Sequence, residues 1–153
     1  MKYLLLFFAL ISATNKGNNA GAKDQVLQLA GSTLAGPEIK TIFGINPGDS
    51  IDFMRWDLQF HESKSTFELH LHYGLSRPNT RWFMQDSIKL QISGSYRQES
   101  NHYILSSKSL KAPLYITRIS DNIFHILSAE KELLAGDGGW SYTLNRKSAL
   151  TAD

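Results

Sequence analysis

Two histidines in the stretch "FELHLHY" have the spacing of a metal site. His70 and His72 stand two positions apart, so on a β-strand both imidazoles point to the same side, roughly 7 Å apart. Glu68 shares that side. Such a set could bind Zn²⁺ or Cu²⁺ if a further ligand came from elsewhere in the chain. The simpler interpretation is a solvated strand face, because the alternate positions from Phe67 to Tyr73 are apolar. We therefore keep His70 and His72 as weak metal-ligand candidates and expect no cofactor.

A long connection, "GLSRPNTRWFMQDS" (Gly74–Ser87), is the second candidate site. Most hairpin connections have two to five residues, and longer ones often carry function. Its apolar cluster and two arginines could form a lid over the barrel mouth, or could meet an anionic ligand or a partner protein. The alternative is that Trp82 and Phe83 fold back and cover the core. The candidate ligand-binding residues are Trp56, Arg77, Arg81, Trp82 and Phe83.

The glycine-rich stretch "GDGG" (Gly136–Gly139) could form a nest of backbone amides for an anion. However, a phosphate loop leads into a helix, whereas the residues after Gly139 alternate as a strand. Asp137-Gly138 is a strong turn signal. We therefore interpret the stretch as the turn into the last strand.

A fourth feature is His125, which lies in the apolar run "NIFHIL". A histidine among apolar residues normally serves as a hydrogen-bonded structural group. We expect that role for His125. The chain has no Gly-x-Ser-x-Gly elbow, no Cys nucleophile, no His-Glu-x-x-His and no calcium loop, which makes an enzyme less favoured than a binding protein.

Strands dominate the elements that must position these residues. After residue 50, apolar and polar residues alternate over 54–60, 67–73 and 88–96, which indicates strands with one buried face. Gly94 suggests a bend within the last of these. Turn signals separate shorter strands, which we place at 102–106, 114–119, 123–127, 132–135 and 140–145. About eight strands at this spacing predict an all-β fold, an antiparallel up-and-down barrel of lipocalin-like style.

One short helix is predicted in "GPEIKTIFG" (Gly36–Gly44). Pro37 suits the first helical turn, and Gly44 suits the position just after the end. Ile39, Ile42 and Phe43 have the spacing of a single helical face. Such a helix could plug one end of the barrel.

The first residues resemble a secretory signal peptide. A positive Lys2 precedes an apolar run over 3–13, which is too short to span a membrane. Ala20-Gly21-Ala22 supplies small residues for cleavage after Ala22, so we expect a signal peptide over 1–22 and one domain over 23–153. The chain has no Cys, so neither a lipid anchor nor a disulfide is expected. We predict a periplasmic or secreted protein without a membrane span.

Charge argues against nucleic acid as a partner. Removal of Lys2 and Lys16 with the leader lowers Lys+Arg from 16 to 14, equal to the 14 acidic residues. A chain near neutrality has no general attraction to phosphate backbones.

Two blocks of the chain resemble a known family. "DFMRWDLQF" (Asp52–Phe60) and "DNIFHILSAEKELLAGDGGWSYTLNR" (Asp121–Arg146) are similar to an uncharacterised family of small secreted bacterial proteins with a C-terminal G-x-G-G-W-S-Y-T-L block. More distantly, the chain resembles the N-terminal barrel of copper-resistance lipoproteins of the NlpE type, and lipocalins. The resemblance implies a barrel and export. It implies no copper or thiol chemistry, because the Cys-x-x-Cys motif of that barrel is missing here.

Three functions remain open from the sequence. The first is a binding protein for a small apolar or amphipathic ligand held at the barrel mouth. The second is an envelope or extracellular protein-interaction module that works through the 74–87 connection. The third is a metal-handling protein that uses His70 and His72.

Overall fold

Eight antiparallel strands close into an up-and-down barrel, in which each strand pairs with its neighbours in sequence and the last pairs with the first. The structure is a computed structural model that describes residues 26–78, 80, 82–84 and 86–148. The strands are β1 (Val26–Leu34), β2 (Phe53–His61), β3 (Thr66–Gly74), β4 (Ile88–Glu99), β5 (His102–Ser106), β6 (Leu114–Arg118), β7 (Ile123–Leu127) and β8 (Thr143–Arg146). The predicted all-β barrel is confirmed. The predicted signal peptide over 1–22 and Arg81 lie outside the described residues.

The first strand was not expected from the sequence. β1 pairs with β2 over its whole length, from Val26 opposite His61 to Leu34 opposite Phe53. Its inward side begins with Leu27 and Leu29 but continues with Gly31 and Thr33, so the apolar alternation fades after two residues. Pairing with β2 and β8, rather than its own pattern, makes this segment a strand.

The end of the chain differs from the prediction in two places. The expected strand over 132–135 is wrong, because only Leu133 forms an isolated bridge, opposite Leu127. The expected strand over 140–145 begins later, at Thr143. Trp140 leaves the strand path because its ring packs on Phe53, with 4.6 Å between ring centroids. The predicted number of strands, eight, still agrees with the structure, because β1 was not predicted and the predicted strand over 132–135 does not form.

Large side chains fill the interior of the barrel. Inward residues of β2 and β3 alternate with polar residues, as the sequence predicts, and all are at most 9 % exposed. The centre contains Trp56, Phe60, Phe67, Phe124 and Leu58 among others. An eight-stranded barrel is just wide enough to be filled in this way.

The short helix α1 (Pro37–Phe43) forms where the sequence predicts it. Gly44 adopts a left-handed conformation, with φ 67°, and its amide bonds back to the last helical turn, which ends the helix. Ile39 and Ile42 are buried, and Phe43 meets the ring of Trp56 edge-on at 5.5 Å. The helix therefore packs against the core as a plug. Among the described residues, no helix is long and apolar enough to cross a membrane.

Gly94 lies where β4 changes partners. β4 pairs with β3 up to Ser95 and with β5 from Ser95 onward. A Cβ at residue 94 would come within 2.7 Å of Phe67 and would also strike the carbonyl of Ser106. Only glycine allows this close approach, so the expected bend is a tight corner of the barrel wall.

Candidate functional site

The connection between β3 and β4 continues as a short hairpin that we call the arm, defined as residues 75–77 and 82–84. The amide of Met84 donates to the carbonyl of Leu75 at 2.9 Å, and that of Arg77 donates to the carbonyl of Trp82 at 2.8 Å. Ser76 and Phe83 form the bridge between these pairs. Since side chains alternate along such a ladder, the arm has an inner and an outer face.

The inner face of the arm is attached to the outside of the barrel. The ring of Phe83 packs on Phe53 at 4.8 Å and on His72 at 4.0 Å. Both the amide and the hydroxyl of Ser76 donate to the carboxylate of Asp52, each at 2.7 Å. These contacts fix the arm against the outward sides of β2 and β3.

An arginine and a tryptophan complete this attachment. The guanidinium of Arg55 lies 5.7 Å from the ring centre of Phe83 and 5.4 Å from that of Trp82, within the range of cation–π attraction. Trp140 covers Phe53 from the other side. Phe53 points outward from β2 and yet is fully buried, because the arm and Trp140 enclose it.

The outer face of the arm is apolar and exposed. Trp82 is 67 % exposed, Met84 is 50 % exposed and Leu75 is 41 % exposed. The three lie on the same side of the ladder, with Arg77 beside them. Because the inner face is held by packing and hydrogen bonds, this exposed group sits on an anchored support.

The predicted ligand-binding residues do not form one site. Trp56 points into the barrel, is 2 % exposed, and its indole N–H donates to the hydroxyl of Thr33 at 2.8 Å. Phe83 folds back onto the wall, whereas Trp82 points to solvent. The arm therefore lies against the side of the barrel, and the structure does not bring Trp56 to the same surface as Trp82.

The two histidines of β3 differ in their surroundings. His70 is exposed, whereas His72 is half-buried beneath Phe83 and its Nε2 bonds to the hydroxyl of Ser87 at 2.7 Å. Burial, Lys89 and Arg55 lower the pKa of His72, in that order of size. Both cations stand opposite His72 on the neighbouring strands, which disfavours a metal ion there. In the part of the chain that the structure describes, no group of three or more His, Cys, Asp or Glu residues is placed to hold a metal.

The stretch 136–139 forms a turn. The amide of Asp137 donates to the carbonyl of Trp140 at 2.9 Å, which closes the turn. The carboxylate of Asp137 accepts from the amides of Gly139 and Trp140, each at 2.8 Å. The carboxylate of Asp137 therefore already accepts hydrogen bonds from two of the backbone amides that a bound anion would need.

His125 has the structural role that we expected from its position. Its Nε2–H donates to the carbonyl of Leu134 at 2.9 Å, and its Nδ1 lies 3.4 Å from the hydroxyl of Thr143. The Nε2 bond ties the β7–β8 connection to the barrel, and the Nδ1 contact links β7 to β8.

A polar groove lies beside the arm, and the sequence did not indicate that the segments lining it would meet. We call it the seam groove because its floor is the junction of β1 and β8. Its volume is about 940 Å³. Its lining comprises Gly31, Ser32, Ser76, Arg77, Pro78, Thr80, Gly139, Trp140, Ser141, Thr143 and Asn145. Three separated parts of the chain form it, so only the folded barrel brings them together.

Comparison with known proteins returned no protein-family model, no curated protein and no solved structure that matches this chain.

Proposed function

We propose that this protein is an exported binding protein that recognises a protein partner through the outer face of the arm. The observation that carries the proposal is the exposure of Leu75, Trp82 and Met84 together on an anchored hairpin. Contiguous exposed apolar side chains commonly mark interaction sites. Tryptophan, methionine and arginine are also enriched in protein interfaces.

The shape of the surface supports a macromolecular partner over a small apolar ligand. Small-molecule sites are concave, whereas the outer face of the arm is raised above the barrel wall. The barrel interior, where a lipocalin-like ligand would sit, is occupied by core side chains and closed by α1. A complementary partner would offer an apolar pocket for Trp82 and acidic groups for Arg77.

Export to the periplasm or the outside of the cell belongs to the same proposal. Its support is the leader-like sequence over 1–22 and the resemblance of two blocks to small secreted bacterial proteins. A closed barrel without cysteine suits this location, because its stability does not depend on a redox environment.

Site-specific photocrosslinking in the native cell tests the proposal. A photoreactive amino acid placed at Met84 is expected to give one discrete protein adduct, and adding Trp82→Ala should reduce its yield at least about tenfold, since buried indoles dominate interface energy. The matched control places the same amino acid at Ile119, which is 56 % exposed on the β6–β7 turn at the opposite end.

Two results would contradict the proposal. One is the absence of a discrete adduct from position 84, or equal adducts from positions 84 and 119. The other is sedimentation of the purified protein with vesicles of phosphatidylethanolamine and phosphatidylglycerol in a manner that depends on Trp82, which would assign the arm to a lipid surface instead. An adduct of twice the chain mass would identify a second copy as the partner.

A further inference from the structure

We propose that the seam groove binds an acidic oligosaccharide. This site shares Arg77 with the outer face of the arm, but its assignment does not rest on the proposed protein partner. The groove forms at the seam between β1 and β8, and several of its polar side chains are free to bind a ligand.

The groove exists because the last seam of the barrel is short. β1 pairs with β8 only from Leu29 to Gly31, although β1 continues to Leu34. At Gly31 the two strands are very close, since a Cβ there would lie 2.6 Å from the carbonyl oxygen of Thr143. On the N-terminal side of Thr143 the chain turns away from β1 toward Trp140, which leaves an opening in the barrel wall.

Three parts of the fold line this opening. The floor carries the outward side chains of Ser32, Thr143 and Asn145. One wall comprises Ser76, Arg77, Pro78 and Thr80, and the other comprises residues 139–141, including Trp140. The volume of about 940 Å³ falls within the range of roughly 300–1,000 Å³ that is usual for ligand sites.

The polar groups of the groove fall into two sets. Ser76 bonds to Asp52, Thr80 donates to the carbonyl of Arg77, and Thr143 bonds to His125, so these three hydroxyls are already hydrogen-bonded within the protein. Among the described residues, the side chains of Ser32, Arg77, Ser141 and Asn145 have no hydrogen bond or ion pair, and they remain available to a ligand.

The available groups define the ligand. Two hydroxyls and a carboxamide provide donors and acceptors that suit the hydroxyls of a sugar. The flat indole ring of Trp140 offers an apolar surface for the C–H face of a sugar ring. Arg77 is the one cation among the described residues that line the groove, and its guanidinium can bind a carboxylate through two hydrogen bonds. An apolar ligand would leave these polar groups unpaired, which costs affinity.

Isothermal titration calorimetry on the purified full-length protein tests the inference. Trigalacturonate and sialyllactose are the acidic probes, and maltotriose and lactose are the neutral ones. We expect saturable binding of an acidic probe that Ser141→Ala with Asn145→Ala weakens about tenfold or more, through loss of hydrogen bonds. Arg77→Gln should abolish the preference for the acidic over the neutral sugar.

The matched control is Ile119→Gln, an exposed change at the opposite end of the barrel, which should bind like the wild type. Circular dichroism melting establishes that the groove variants are folded. The proposal is overturned if neither acidic probe binds saturably, if the Ser141→Ala/Asn145→Ala protein binds unchanged, or if citrate competes as well as trigalacturonate. Because only protein and sugar are present, these outcomes leave the partner proposal untouched, and a failed crosslink at position 84 leaves the groove untouched.

Discussion

Trp82 and Phe83 are neighbours in the chain and have opposite surroundings. Phe83 packs between Phe53 and His72, whereas Trp82 points to solvent. The interpretation in which both rings fold back onto the barrel therefore holds for Phe83, although against the outside of the wall, and not for Trp82. A binding role for the connection stays a prediction. The alternation of an extended hairpin decides which of two adjacent aromatic rings is buried, so the pair could not be treated as one unit.

The stability of the folded chain should depend on pH through His72. Burial and the nearby Lys89 and Arg55 lower its pKa below the ordinary value of 6.5. The unfolded chain then binds more protons than the folded chain just below pH 6.5, so the free energy of unfolding falls as the pH falls through this range. Replacing His72 with Gln should flatten this dependence between about pH 7 and pH 5.

Urea denaturation at a series of pH values measures the effect. His70→Gln is the matched control, because His70 lies on the same face of β3 but is exposed. If His72→Gln keeps the wild-type slope of stability against pH, then the burial of His72 beneath Phe83 does not have the electrostatic cost assigned to it here.

At the scale of elements, β4 turns a corner of the barrel wall at Gly94. β4 is the longest strand, and it pairs with β3 up to Ser95 and with β5 from Ser95 onward. The sequence indicated the bend through Gly94, but not the neighbours that require it. Those neighbours, Phe67 and Ser106, come from other strands and meet Gly94 only in the closed sheet.

We expect Gly94→Ala to lower the free energy of unfolding by roughly 2 kcal/mol or more, because the new methyl group has no space beside Phe67 and the backbone of Ser106. Gly138→Ala is the matched control. No atom lies within 4 Å of a Cβ at that position, so its effect should stay within about 0.5 kcal/mol. Chemical denaturation compares the two. Equal midpoints for the two variants would show that β4 can relax at this corner.

At the scale of the whole molecule, the leader should separate from a nearly neutral barrel. Lys2 and Lys16 lie in the predicted leader, so its removal would leave 14 Lys and Arg residues against 14 acidic residues. The intact mass of the protein purified from its exported fraction should equal residues 23–153. The double substitution Ala20→Leu and Ala22→Leu should block cleavage and preserve the precursor, because the cleavage site requires small side chains. A wild-type mass that includes Met1–Ala22 would contradict export.

The sequence by itself determined the class of fold, because strict alternation in β2 and β3 and the flanking signals of α1 are local properties of the chain. It also indicated the 74–87 connection as unusual. Only the tertiary structure decided that β1 is a strand and that the arm lies on the wall, since each depends on residues distant in sequence. Two of the segments that line the seam groove stood out in the sequence, but nothing local indicated that they meet, because the groove forms only when β1 and β8 pair.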